Sequence, residues 1–329
     1  TAVAARLLDP AWASGVVARG QAAPRLVGIA DLDLDTDRGL LIPADVRQVT
    51  DYHELLDDEV DIVIELIGGS GVAGQAVLDA LAAGRSVVTA NKDLVARRGK
   101  ELEEAAREAG QSLRFEAAVL AGVPVLGPLV DELAANEVGH IRGIFNGTTN
   151  YILSTMASDA REYADVLAEA QARGYAEADP VSDVEGWDAA YKLVILSRLA
   201  WGGWIDIEAV RRSAPAVGGE SAEGILGVKR SHMSVAARLG LVLKLVSRAE
   251  RKRLFCRLEL RHRQRGLYEL HGCVTADQLP LTLKVAVVDP VYYTRAAIKQ
   301  DAAALGITLA GDVRLGAPSQ PGRVIAEHR

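Results

Sequence analysis

The segment Gly174 to Leu196, G-Y-A-E-A-D-P-V-S-D-V-E-G-W-D-A-A-Y-K-L-V-I-L, sets five carboxylates and one lysine against an apolar run. Pro180 stops any helix entering from the N-terminal side. Asp183 is expected to N-cap the helix that follows. Asp188 and Lys192 lie four residues apart, on one helical face. Lys192 stands among Ala189, Ala190, Leu193 and Val194, where an ammonium loses hydration unless a polar group receives it. Two readings stay open on this pattern. One is an exposed Asp–Lys pair beside an acidic loop, a common helix feature. The other is a functional pair, with Lys192 drawn out of water and received by a polar partner.

A strip of this kind needs a scaffold, and the first third of the chain reads as alternating strands and helices. Ala2 to Leu8 is helical in composition and ends at Asp9-Pro10. Strands are expected at Arg25–Ala30, Asp61–Ile67, Ser86–Ala90 and Leu113–Val119, with helices near 75–83 and from Lys92 to about Gly110. The alternation implies parallel βαβ units in a doubly wound sheet, an α/β class. Ligands on such sheets sit at the carboxyl ends of the strands. That rim carries Asp31, Gly68, Gly69, Thr89, Asn91, Lys92 and Glu116, a polar, glycine-rich set suited to a dinucleotide. Gly69-Ser-Gly71-Val-Ala-Gly74 is a literal G-x-G-x-x-G between strand and helix. The full fingerprint also wants an acidic residue ending the next strand, and that strand ends in Asn91-Lys92 instead. This loop is therefore read as flanking the nicotinamide half of a site, with the pyrophosphate cradle as the alternative.

Further along, Leu126 to Ala135 reads as a helix leading into a strand at Gly139–Ile144. Phe145-Asn-Gly-Thr-Thr-Asn-Tyr151 reads as a turn cluster whose amides and hydroxyls suit a carboxylate or ribose, or as a plain Asn-Gly turn. Ser158 is expected to cap a helix through Ala172. Pro215 to Gly227 looks like a linker or lid, and Ser234 to Val246 like a helix. Arg248 to Arg265 is basic, and Leu254, Leu258 and Leu260 suggest a strand within it. A strand at Leu281–Val288, a helix at Val291–Leu305 and a loose tail from Gly316 close the chain.

Composition excludes several function classes. The chain has 329 residues, 49% of them hydrophobic and 25% charged, enough for two domains and an ordinary core. A net charge of -7 argues against general affinity for nucleic acid or anionic membrane. No apolar run approaches the ~18 residues of a membrane span. Two cysteines, Cys256 and Cys273, make neither a disulfide framework nor a zinc site, so a reducing, cytoplasmic setting is expected. The first residue is Thr1 rather than Met, as in a piece of a longer chain.

Five segments in order resemble homoserine dehydrogenase: D-I-V-I-E-L-I-G-G (61–69), T-A-N-K (89–92), F-E-A-A-V (115–119), G-I-F-N-G-T-T-N-Y-I-L (143–153) and G-Y-A-E-A-D-P-V-S-D-V-E-G-W-D-A-A-Y-K-L (174–193). They cover roughly residues 1 to 200. The resemblance implies reversible oxidation of the L-homoserine 4-hydroxyl to L-aspartate 4-semialdehyde with NAD or NADP, in threonine, methionine and isoleucine biosynthesis. It implies Lys192 as the general acid/base, with Asp188 orienting it. Glu177, Asp183 and Lys92 would bind substrate. Gly68, Gly69, Thr89, Asn91, Lys92 and Asp31 would border the cofactor. Glu116, with the main-chain carbonyls of Val119, Ala121 and Val123, would hold a monovalent cation, Na+ or K+; such cations take oxygen ligands. A homodimer is also implied.

The implied fold is a Rossmann-like doubly wound parallel sheet, here without the family's first strand and glycine-rich loop, joined to an α+β catalytic and dimerisation domain. The expected division is 1–130 for nucleotide binding, 131–288 for catalysis and dimerisation, 289–312 for a helix returning to the first domain, and 313–329 for a tail. Asp31 ends its strand without a base before Arg38, which favours NAD over NADP. From about Gly203 the match thins, and V-V-D-P-V-Y-Y-T-R-A-A-I (287–298) stands where a glycine-rich loop is usual. Two other readings compete. One is a non-catalytic or cofactor-deficient paralogue. The other is a thiol-dependent aldehyde dehydrogenase, which needs a nucleophilic cysteine.

Overall fold

The computed structural model describes residues 1–212, 223–250 and the strands 253–262, 285–287, 314–315 and 324–327. The chain divides into two compact units, Thr1–Ala118 and Val119–Arg329.

The first unit opens with helices α1 (Ala2–Leu7) and α2 (Pro10–Ala18). Asp9 caps α2 by accepting from the Ala11 N–H, and Pro10 fills the first helical position, where its missing N–H costs nothing. Strands β1 (Gly28–Ala30) and β2 (Arg47–Val49) pair in parallel. After a 3-10 turn at Tyr52–Leu55 come β3 (Ile62–Glu65), α3 (Val72–Ala82), β4 (Ser86–Thr89), α4 (Lys92–Ala109) and β5 (Leu113–Arg114). Strands β3, β4 and β5 form a parallel sheet of that order, so the expected βαβ units are present. The two parallel sheets are separate.

Helix α4 begins and ends as its sequence dictates. Asn91 accepts from the Leu94 N–H at the start, and Gly110 takes the left-handed conformation (φ 65°) at the end. Its buried Leu94, Leu102 and Ala106 meet Ala73, Val77, Ala80 and Leu81 of α3, with Val87 of β4 beneath. The expected strand at 113–119 is shorter, because Glu116–Ala118 coils into a 3-10 turn.

The second unit contains α5 (Leu126–Val130), β6 (His140–Gly143), α6 (Gly147–Asp159), α7 (Tyr163–Ala172), α8 (Val181–Val184) and α9 (Trp187–Trp201). A 3-10 turn at Ile207–Ala209, helix α10 (Arg230–Arg238) and strands β7 (Leu241–Glu250) and β8 (Arg253–His262) follow. Strands β6, β7 and β8 make an antiparallel sheet. Helix α9 packs on β7 and β8 and sinks Leu193, Val194, Ile195 and Leu196 completely. Strands β9 (Val285–Val287), β10 (Arg314–Leu315) and β11 (Val324–Glu327) form a small antiparallel sheet in the order β10-β11-β9.

Several local expectations are corrected. The helix read over Ser234–Val246 ends at Arg238, where left-handed Gly240 (φ 69°) breaks it. Leu241 onward is strand, its residues alternating or doubly buried against the helices. The 145–151 turn cluster is an N-cap and the first turns of α6: the Asn146 side chain caps the helix and Gly147 begins it. Ser158 lies near the end of α6 rather than at the start of a helix; Glu162 precedes α7. The helix read to Ala135 stops at Val130. Asp183 is not the N-cap of the long helix. Pro180 starts the short helix α8 around it, and Gly186, left-handed at φ 83°, separates α8 from α9. Within the expected tail, the β-forming run Val324-Ile-Ala326 pairs with β9. The expected helix at 291–305 lies outside the described residues.

Candidate active site

In the first unit the carboxyl ends of β3 and β4 are tied together by one side chain. Glu65, the last residue of β3, is buried. Its carboxylate accepts from the N–H of Ile67 (2.7 Å) and Gly68 (3.2 Å), and from the Thr89 hydroxyl on β4. Asn91 donates from Nδ2 to the Gly69 carbonyl (2.6 Å) and receives the Leu94 N–H on Oδ1. Gly68 and Gly69 both have positive φ, and open space lies where a Cβ would stand. The loop after β3 therefore offers bare backbone, held from below by Glu65 and from the side by Asn91. Lys92, half-buried, follows at the first position of α4.

Gly74 has a different function from Gly68 and Gly69. It is buried inside α3, and a Cβ there would stand 2.1 Å from Arg98 Nη1 and 3.1 Å from a Leu94 methyl of α4. This glycine lets two helices approach.

Asp31, just past β1, is half-buried. Its carboxylate accepts the Asp33 N–H (3.0 Å), and Arg38 folds back to 3.3 Å from it and 3.6 Å from Asp33. The Thr36 side-chain and main-chain hydrogen bonds hold the Asp33 carboxyl below its ordinary range. The carboxylate of Asp31, the bare loop at Gly68–Gly69 and the anchored Thr89 and Asn91 fit a dinucleotide in the chemistry of their donors and acceptors. In the second unit the main-chain carbonyls of Val119, Ala121 and Val123 are hard oxygen donors, the chemistry a monovalent cation takes. Left-handed Leu120 (φ 50°) and Gly122 (φ 84°) turn the backbone between those carbonyls.

The second unit assembles the acidic strip. Asp188 and Lys192, on the first turns of α9, form an ion pair with Nζ 2.7 Å from Oδ2. Both are largely out of water, with side-chain exposures of 5% and 16%, so this is not an exposed surface pair. Lys192 Nζ also donates to the Phe145 carbonyl (2.9 Å). Asn146 donates from Nδ2 to Asp183 Oδ1 (2.6 Å) and Asp188 Oδ2 (2.9 Å). Glu177 is exposed on the loop before α8, and Gln171 Nε2 anchors that loop by donating to the carbonyls of Glu177 and Ala178. Thr148 donates to the Tyr175 carbonyl (2.7 Å) and ties the start of α6 to the same loop.

Beneath the strip, Gly224 is wedged under the end of α8. A Cβ there would stand 2.1 Å from the Val184 carbonyl oxygen, and Ile225 donates its N–H to that carbonyl (2.8 Å). The described end of the expected 215–227 lid is thus pinned to α8; residues 213–222 lie outside the described residues. Arg212 stacks on the Trp187 ring at 3.3 Å.

A family model described as homoserine dehydrogenase matches residues 124–298, and one described as the homoserine dehydrogenase NAD-binding domain matches residues 10–116. The chain belongs to the homoserine dehydrogenase family. A homoserine dehydrogenase of Bacillus subtilis is 42% identical over 219 residues, covering 67% of this chain and 48% of that protein. One of Mycobacterium bovis is 43% identical over 240 residues, 73% of this chain and 52% of that protein. The chain spans about half the length of these curated relatives. Among solved structures, a homoserine dehydrogenase from Thiobacillus denitrificans is similar with TM-score 0.69 and 39% identity, covering 77% of this chain and 57% of that one. The S. aureus enzyme at pH 6.0 gives TM-score 0.66 at 25% identity, covering 96% and 86%. A hyperthermophilic archaeal homoserine dehydrogenase mutant, solved in complex with NADPH, gives TM-score 0.54 at 27% identity over 69% of this chain and 62% of that one.

The homoserine dehydrogenase model extends to residue 298, well past the point near residue 200 where recognisable motifs thin out. The thiol-dependent alternative loses its nucleophile among the described residues. Cys256 is fully buried on β8, and burial pushes its thiol up to about 12. Cys273 lies outside the described residues. Two side chains to which the sequence reading gave no individual role organise their own surroundings: Glu65 within the first unit and Asn146 within the second. A carboxylate closing an otherwise apolar strand was the available signal for Glu65.

Proposed function

We propose that this chain carries the catalytic machinery for reversible oxidation of L-homoserine to L-aspartate 4-semialdehyde, a step toward threonine, methionine and isoleucine. The supporting observation is the shielded Lys192–Asp188 pair, linked through Asn146 to Asp183. A nicotinamide cofactor, when bound, supplies the acceptor for the hydride leaving the substrate's carbon 4. Lys192 Nζ takes the 4-hydroxyl proton in the oxidative direction and returns it in the reductive one. Asp188 and the Phe145 carbonyl fix where that amine points. Glu177 holds the substrate amino group, and Asp183 and Lys92 orient the substrate. Gly68, Gly69, Thr89, Asn91 and Lys92 border the cofactor. Asp31 receives the ribose of NAD in preference to the 2'-phosphate of NADP, because Arg38 is already engaged by Asp31 and Asp33. Glu116 and the carbonyls of Val119, Ala121 and Val123 hold the monovalent cation, and the family's homodimer is the proposed assembly.

The test is homoserine-dependent reduction of NAD(P)+ by the parent chain and by Lys192→Ala. A positioned proton-transfer group contributes roughly 10^2- to 10^4-fold in rate, so kcat should fall by that order while the melting temperature holds. A kcat near that of the parent chain in the variant would sink the assignment.

A further inference from the structure

We propose that Asn146 is a positioning residue of the site: it sets the spacing of Asp183 and Asp188 and thereby the presentation of Lys192. This rests on the reading of the strip given above.

The orientation of the Asn146 side chain is decided by the backbone. Its Oδ1 accepts the Thr149 N–H at 2.7 Å, and an N–H can meet only the oxygen end of the amide. The nitrogen end therefore faces the two carboxylates, with one hydrogen for Asp183 Oδ1 and one for Asp188 Oδ2. The side chain is 5% exposed, so water does not compete for these bonds. Asp188 Oδ2 is the same atom that accepts from Lys192 Nζ. Asn146 thus takes part of the charge that would otherwise fall wholly on the lysine. Its neighbour Phe145 supplies the other acceptor for Nζ. Two adjacent residues at the start of α6 fix both contacts of the lysine on α9.

Without the bridge, two carboxylates held this close repel each other, and each turns toward a nearby cation. Several charged groups among the described residues bear on this point. Asp188 lies on the lysine's own helix and Asp183 on α8. Lys244 of β7 is engaged by Asn150 (2.7 Å) and Ser154 (2.6 Å) of α6. Arg212 stacks on Trp187 and pairs with Glu223. Lys192 Nζ lies 2.7 Å from Asp188 Oδ2.

The two ends of the amide can be separated by substitution. Asn146→Ser and Asn146→Asp both keep an oxygen able to cap α6, and both lose the two-hydrogen amide that bridges the carboxylates: serine has a single, shorter-reaching hydroxyl hydrogen and an aspartate has none. In Asn146→Ser no charge is added, so folding is retained even if a third carboxylate in Asn146→Asp proves disruptive. Two readouts are taken on each variant: kcat and KM for homoserine oxidation, and the rate at which trace acetic anhydride acetylates Lys192 relative to exposed Lys100, read by peptide mass spectrometry.

The expected result is a fall in kcat of roughly ten- to a hundredfold, larger than the change in KM. Lys192 acetylation slows several-fold in Asn146→Ser and further in Asn146→Asp. Lys192 acetylation equal to or faster than in the parent chain, in both variants, overturns the inference whatever turnover does. If the parent chain shows no turnover yet acetylation of Lys192 slows in the variants, the functional reading fails and the positioning role stands.

Discussion

Glu65 and Asn146 perform the same task in different units: each uses one buried polar group to hold several loop or site groups at fixed distances. For Glu65 the consequence can be measured directly. Glutamine offers one accepting oxygen where Glu65 uses two, so Glu65→Gln leaves either the Thr89 hydroxyl or the loop N–H groups without their acceptor. A buried hydrogen bond to a charged group is worth about 1.5–3 kcal/mol, and about 1.4 kcal/mol is tenfold in affinity. NADH binding by Glu65→Gln, followed by fluorescence titration, should weaken about tenfold with helix content unchanged. An unaltered dissociation constant would refute the idea that Glu65 shapes the cofactor loop. At this scale the sequence revealed the local pair and hid the distant bridge. Asp188 and Lys192 were legible because both members lie within one helical turn. Asn146 was not, because its partners are 37 and 42 residues away and its neighbourhood reads as an ordinary Asn-Gly turn.

At the level of elements, two glycines that a motif search would treat alike are expected to behave differently. A Cβ at Gly224 meets the Val184 carbonyl and Glu185 backbone, and the residue is left-handed at φ 57°. Backbone cannot move aside without shifting α8, which carries Asp183. Gly224→Ala should therefore cost at least about 2 kcal/mol in urea denaturation. At Gly74 the obstruction is the far end of Arg98 and a Leu94 methyl, both on flexible side chains. Gly74→Ala should cost less than about 1 kcal/mol, since Arg98 can swing away and keep its pair with Glu101. Equal losses at the two positions would contradict this distinction. The elements themselves were read well where one rule decided them. Helix α4 had a cap, an amphipathic face and a terminal glycine, all adjacent in sequence. The 234–246 stretch failed because helix and strand follow each other across a single glycine, and the apolar run Leu241-Val-Leu243 suits either until the sheet partner is known.

For the whole molecule, the α/β class was legible because strand-helix alternation is a long-wavelength pattern that survives errors of a few residues at each boundary. Cofactor choice is also a whole-protein property that a few charges tilt. Asp31→Asn removes the negative charge at the end of β1 and frees Arg38 from one of its two carboxylate partners. The ratio of kcat/KM for NADP over NAD should rise about tenfold or more, checked by initial rates with each cofactor. A ratio that does not move would mean that discrimination lies elsewhere. The order in which the parts are made adds a last consequence. Strand β6, at residues 140–143, pairs with residues 247–250 of β7, and α9 rests on β7 and β8. A chain emerging from the ribosome therefore presents Lys192 and the largely apolar buried side of its helix before the sheet that covers it has been synthesised. Through that interval the strip exists as sequence without a back wall, and long-range pairing of this kind is slow and exposed to aggregation. Until β7 and β8 have left the tunnel, the face of α9 that they cover has no sheet against it, so the step that backs the strip also buries that face.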